Sequence, residues 1–185
     1  MRKRLLLLTG SPGVGKTTLL LRVVEALRAR GYSVGGMVSR EVRSCGARVG
    51  FELLDLSSLK RGWLAHVNGK VGPSIGRYHV NLDDLEGLGV QAIVNAVDRC
   101  NIVAIDEVGP MELFSDKFKE AVAKAVESKK LVVSVVHWKS RNMLVEEMKG
   151  REDAEMYTVT CENRGSLHES IFRRAIGFLE SQHTE

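Results

Sequence analysis

The stretch GSPGVGKTT at residues 10–18 decides how this chain is read. It satisfies G-x-x-x-x-G-K-[ST], with Gly10, Gly15, Lys16 and Thr17 at the fixed positions and Ser11, Pro12, Gly13 and Val14 between them. Glycines 10, 13 and 15 let the backbone curl so that successive N–H groups converge on phosphate oxygens, and a helix opening at Lys16 adds the positive end of its dipole. In such a cradle Lys16 reaches the β- and γ-phosphates, the Thr17 hydroxyl is a ligand for Mg²⁺, and Thr18 closes the loop. Background residue frequencies produce the pattern by accident in about one chain in a hundred of this length. Here the flanks also fit. The apolar run over 5–9 predicts a strand, and Leu20, Val23, Val24 and Leu27 repeat at helical spacing over 16–29 until Gly31 ends the helix.

A phosphate loop needs an acidic partner for the metal, and the segment VAIDEVGP at 103–110 supplies one. Val103, Ala104 and Ile105 read as the end of a buried strand, and charge is costly to bury, so Asp106 and Glu107 need a reason to follow them. Ligands of open α/β sheets bind at the carboxyl ends of the strands, which makes Asp106 the expected Mg²⁺ partner. Glu107 stands where it can accept a proton from, or orient, an attacking water. Val108, Gly109 and Pro110 then form the turn that leaves the site. Glu112 has two readings, a third carboxylate brought back toward the metal or a helix N-terminal residue.

The rest of the chain alternates helical periodicity with short Val- and Ile-rich runs, the signature of a mostly parallel sheet flanked by helices. Helices are predicted over 83–98, 115–128, 140–149 and 166–179, and strands over 101–108, 131–137 and 155–160. Between 32 and 80 the texture changes. YSVGGMVSREV and ARVGFELLDL flank RSCG and read as an antiparallel hairpin turning at Gly46, with a further short strand at 77–80. These strands are expected to extend one edge of the sheet. Trp63 and Trp138 are expected to be partial core, and His137 a strand-end residue.

With 185 residues and 44% hydrophobic content, one domain over 1–185 is expected. A balance of 27 basic against 23 acidic residues gives +4, enough to help attract an anionic small molecule and a thin footprint for nucleic acid. Cys45, Cys100 and Cys161 are widely spaced and contain no C-x-x-C pair, which argues against a disulfide framework or zinc site. The apolar part of MRKRLLLLTG is too short for a secretion signal, and no run has the length of a membrane span. A cytoplasmic protein is expected, with no membrane partner.

GSPGVGKTT, AIDEVGPMELFS and VTCENRGSL occur together with GGMVSREVR, RVGFELLDL, GRYHV and LVEEMKGRED, in an order that resembles the THEP-type nucleoside-triphosphatase family over nearly the whole length. The resemblance implies a RecA-like P-loop fold in which the 131–137 strand lies between the P-loop strand and the Asp106 strand. It implies Mg²⁺-dependent hydrolysis of ATP, GTP, CTP, UTP and TTP to diphosphate and phosphate, with weaker use of diphosphates; a monomer is expected. It also implies nucleotide contacts from residues 10–18 and 103–110, and from Asn163 and Arg164 in a loop beside the base, where a guanidinium can stack on any base. Rival readings are a nucleotide or small-molecule kinase with an acceptor pocket in 32–80, an RNA-associated ATPase, and a switch GTPase. Against the last, the chain contains no N-K-x-D.

Overall fold

A computed structural model describes residues 2–182; Met1 and residues 183–185 of the expected domain lie outside the described residues. The chain runs β1 (Leu5–Thr9), α1 (Lys16–Ala29), β2 (Val34–Ser44), β3 (Ala47–Asp55), β4 (Arg61–His66), β5 (Ser74–Ile75), β6 (Tyr78–Val80). A helical turn α2 (Leu82–Asp84) and a π-helical stretch (Leu85–Val90) lead into α3 (Gln91–Arg99), followed by β7 (Ile102–Val108), a 3₁₀ turn (Glu112–Phe114) and α4 (Asp116–Glu127). The chain then forms β8 (Leu131–Val136), α5 (Met143–Gly150), β9 (Ala154–Thr158) and α6 (Leu167–Gln182). All strands join one sheet in the order β5-β6-β4-β3-β2-β7-β8-β1-β9.

The apolar runs form the parallel half of this sheet because they are covered on both faces. Leu5, Leu7, Val103, Ile105, Val132 and Val136 pack toward α3 and α4, where Ile93, Ala96, Phe118 and Val122 receive them. Alternate residues Leu6, Leu8, Ala104, Val133 and Val135 pack toward α1 and α6 with Leu20, Val23, Leu27, Ile171 and Phe178. The period of two thus assigns every residue at the carboxyl edge to one face or the other. Strand β8 lies between β1 and β7, in the order the family resemblance implied.

The non-parallel half begins later than residue 32. Val34 to Val38 pair parallel with Ile102 to Asp106, and only beyond them does β2 run on as one arm of an antiparallel hairpin with β3. Cys45 and Gly46, both at positive φ (48° and 79°), make its two-residue turn. Strand β4 has no counterpart in the sequence reading. A register shift where it pairs with β3 puts the consecutive residues Leu64 and Ala65 both into the core, which erases the alternation that marks a strand. The helix read over 83–98 is interrupted by the π-helical stretch, where Gly89 lets the backbone approach Met37 of β2.

Gly36, at φ +113°, lets β2 and β7 lie in register, because a Cβ there would fall 2.0 Å from the Ala104 carbonyl oxygen. Gly36→Ala is expected to destabilise the protein by about 2–4 kcal/mol, combining backbone strain and overpacking. Denaturant unfolding checks this, and a wild-type midpoint contradicts the register.

Candidate active site

The β1–α1 connection forms the cradle expected of it. Gly15, at φ +106° and ψ 23°, precedes α1 without a side-chain cap, whereas Ser115 caps α4 and Asn142 caps α5. The first N–H groups of α1 are therefore free of side-chain acceptors, and no acidic residue sits in its first turn, so its positive end is available to an anion. The Lys16 ammonium folds into the curl, donating to the Gly10 carbonyl at 3.0 Å and the Ser11 carbonyl at 3.2 Å. Ser11, Pro12, Gly13 and Thr18 are exposed, while Val14 is buried and pins the loop to the core. Gly10 admits the chain after β9: a Cβ there would meet the Val159 carbonyl oxygen at 2.5 Å. Val159 was not foreseen as a neighbour of the site, and its contact runs through a backbone atom that leaves no mark in the sequence.

Across β8, Asp106 ends the apolar part of β7 with 2% of its surface exposed. Ile102 and Ala104 pack toward α1, and Asp106 continues that face, which brings its carboxylate within hydrogen-bonding reach of the Thr17 side chain. The other oxygen, Oδ2, is buried and has no partner among the described residues. Burial pushes the Asp106 carboxyl up to about 7; Glu107 adds to the rise, while the Thr17 hydrogen bond and the Lys16 charge oppose it. Glu107 is half-buried, and its side chain folds against Gly109, where a Cβ would lie 2.6 Å from Oε1.

Of the two readings left open for Glu112, the structure shows the one at a helix start. It opens the 3₁₀ turn, and it is buried at 3% exposure where the charges of Glu107 and Asp106 act on it. Burial first, then those charges, raise its carboxyl well above the usual range, against the pull of the Gly109 N–H and its own N–H. Among the described residues no group of three or more His, Cys, Asp or Glu side chains could hold a metal by itself. A metal here needs the Thr17 hydroxyl, the orphaned Asp106 oxygen and ligands from outside the protein, which suits Mg²⁺ with its few protein ligands.

Val103, Ala104 and Ile105 are fully buried in the strand behind Asp106, which is itself 2% exposed. Val108 and Gly109 are also buried, and Pro110 is exposed. The Asn163 amide is engaged inside its own loop, accepting from Thr160 N–H and donating to the Thr158 carbonyl. Arg164 crosses to the cradle, with Nη1 at 3.4 Å from the Val14 carbonyl and its stem beside Gly15. Trp63 and Trp138 are not core: they are 38% and 45% exposed, the first edge-on to His66 and the second beneath the Lys139 ammonium. Arg48 and Arg61 are ion-paired within the insertion to Glu41 and Glu52. A cleft of about 610 Å³ between Trp63, Lys70 and His79 shares no residue with the cradle.

This geometry can be set beside known proteins. A family model described as NTPase matches residues 5–172. The chain belongs to the nucleoside-triphosphatase family. It is 45% identical over 170 residues to nucleoside-triphosphatase THEP1 of Thermofilum pendens, covering 90% of this chain and 92% of that relative. It is 46% identical over 167 residues to the protein of the same name from Methanosarcina acetivorans, covering 90% and 93%. Among solved structures, THEP1 of Aquifex aeolicus superposes with a TM-score of 0.80 at 30% identity, over 92% of this chain and 96% of that one. A human cancer-related nucleoside triphosphatase gives 0.78 at 36% identity with the same coverage. The family's P-loop α/β fold is therefore the fold of this chain.

A carboxyl whose folded-state pKa is raised holds its proton more tightly in the fold than in the unfolded chain. The stability it contributes is complete below the unfolded value near 4 and is lost as pH climbs through the folded value of about 7 for Asp106. Without nucleotide or divalent ions, Asp106→Asn is expected to melt above wild type at about pH 8 and to lose the difference only as the pH falls to about 4. Equal pH dependence in the two proteins contradicts the buried, unpaired carboxylate.

Proposed function

We propose that this nucleoside-triphosphatase family member hydrolyses the β–γ anhydride of nucleoside 5′-triphosphates in a Mg²⁺-dependent reaction, giving diphosphate and phosphate. ATP, GTP, CTP, UTP and TTP are all substrates in this reading, and diphosphates are used more weakly. The observation that carries it is the pairing of an uncapped α1 N-terminus, with Lys16 folded into the loop, and a buried Asp106 whose Oδ2 has no partner among the described residues. Residues 10–18 bind the phosphates and Lys16 neutralises charge that builds on the γ-phosphate. Thr17 and Asp106 would hold Mg²⁺, which supplies charge neutralisation on the phosphate oxygens. Glu107 accepts the proton of the attacking water, and Gly109 leaves the room that its carboxylate occupies.

Broad base tolerance is part of this reading. Arg164 offers a guanidinium plane, which any base can stack upon, and Asn163 braces the loop that presents it. The protein acts as a single-domain monomer in the cytoplasm, without a nucleic-acid partner. No helix of the described residues is long and apolar enough to cross a membrane.

Two variants test the roles. Lys16→Ala is expected to weaken triphosphate binding and turnover together, each by about a hundredfold or more. Glu107→Gln keeps the shape and removes the base, so nucleotide affinity should stay within about threefold while kcat falls by about 10² to 10⁴. Binding measured by calorimetry and phosphate release measured in parallel separate the two. A Glu107→Gln enzyme as fast as wild type removes Glu107 from the chemistry, and tight binding without release by wild type points to a kinase instead.

A further inference from the structure

The strands beyond β2 build a second concavity. Trp63 and His66 of β4 and His79 of β6 line a cleft of about 610 Å³ together with Lys70 from the β4–β5 loop and Asp83 from α2, and none of them belongs to the phosphate cradle. Its volume falls in the range of small-molecule sites. Strand β4 lies three strands from β7, so at ordinary strand spacing the cleft stands about 14 Å across the sheet from the strand of Asp106, well beyond the contact that phosphoryl transfer between them requires. The lining is held in place by the backbone around it. His66 and His79 are directly opposite in the β4–β6 pair, and Gly69 lets the loop close on them, because a Cβ there would lie 2.7 Å from the His79 Cβ. The Trp63 N–H donates to Asp84 Oδ2 at 2.7 Å, and its indole meets the His66 ring edge to face at 4.7 Å between centroids, with 38% of the residue exposed. The Asn68 N–H donates to His66 Nδ1 at 3.0 Å, so the neutral imidazole carries its proton on Nε2 and offers a donor there rather than a lone pair for a metal. Lys70 and Asp83 are exposed, and among the described residues no hydrogen bond or ion pair engages either. An aromatic surface, two donors and one carboxylate therefore share one concave surface.

We propose that this cleft binds a small planar aromatic molecule carrying an anionic group, with the ring stacked on Trp63, the anion held by the Lys70 ammonium and the His66 Nε2–H, and an amino group of the ligand donating to Asp83. The inference is independent of the triphosphatase reading and adds a second ligand site to the protein. Stacking supplies most of the affinity and tolerates different rings, while the charged rim selects a molecule with an anion at one end and a donor at the other. A nucleoside monophosphate with an amino-bearing base and an aromatic amino acid share this chemistry.

The test is calorimetric titration of AMP and of phenylalanine, without Mg²⁺, into wild type, Trp63→Ala, Lys70→Gln and Lys16→Ala. Wild type is expected to bind one of the two probes with a Kd of about 1 mM or tighter, and which one it binds identifies the source of the anion. For that probe Trp63→Ala is expected to weaken binding about ten- to a hundredfold and Lys70→Gln about tenfold, whereas Lys16→Ala stays within about twofold of wild type. Trp63 and Lys70 are both exposed, so their replacement leaves the core intact, and Trp63→Phe, which keeps a ring, should recover most of the loss. Binding that is lost in Lys16→Ala and unchanged in Trp63→Ala and Lys70→Gln places the probe in the cradle and overturns the proposal. Wild type that binds neither probe overturns it as well. Phosphate release from ATP with Mg²⁺, measured on the same preparation, reports on the cradle separately, so failure of this site and failure of the triphosphatase reading are told apart.

Discussion

The site depends on one costly placement, a carboxylate buried at the end of an apolar strand. Asp106 continues a face that Ile102 and Ala104 give wholly to the core, and its carboxylate meets the Thr17 side chain there. Water cannot compensate a charge at that depth, and Lys16 and Thr17 offset burial only in part, since the carboxyl still rises to about 7. In the proposed reading, a divalent cation held by Thr17 and Asp106 would offset that penalty.

The remainder of the fold makes that placement possible. Strand β8 is fully buried and separates β1 from β7, so the cradle and the acidic strand end lie two strands apart on a shared carboxyl edge. The loop is held from below by Val14 in the core, from β9 by the close approach of Gly10 to Val159, and from above by Arg164 on the Val14 carbonyl. Beyond Val38 the long β2–β3 hairpin continues past the residue paired with Asp106; its Arg43 and Arg48 pair with Glu41, and Arg61 of β4 pairs with Glu52.

Much of this is legible in the sequence because the physics involved is local. The phosphate loop is a backbone device whose glycines and lysine are spelled out in order, and the strands of the parallel half announce themselves as apolar runs. The acidic pair after such a run is visible as a contradiction that only a ligand resolves. What stays hidden arises from contacts between distant segments. The register shift in β4 places Leu64 and Ala65 side by side in the core and conceals the strand. The burial of Glu112 depends on how the turn after Pro110 folds back, and the touch of Val159 on Gly10 involves a carbonyl that every residue possesses. The two tryptophans mislead because residue type alone favours burial, whereas both stand on surfaces of the insertion and the post-β8 loop.

The central claim is that this cradle takes a triphosphate and a divalent cation without reading the base. The measurement that tests it most directly is phosphate release by the purified wild-type protein from ATP, GTP, CTP and UTP, each with Mg²⁺ and with a chelator in its place. Release from all four with kcat/KM values within about tenfold of one another, and none with the chelator, is the expected result. Turnover of a single nucleotide, or turnover undiminished by the chelator, would contradict it.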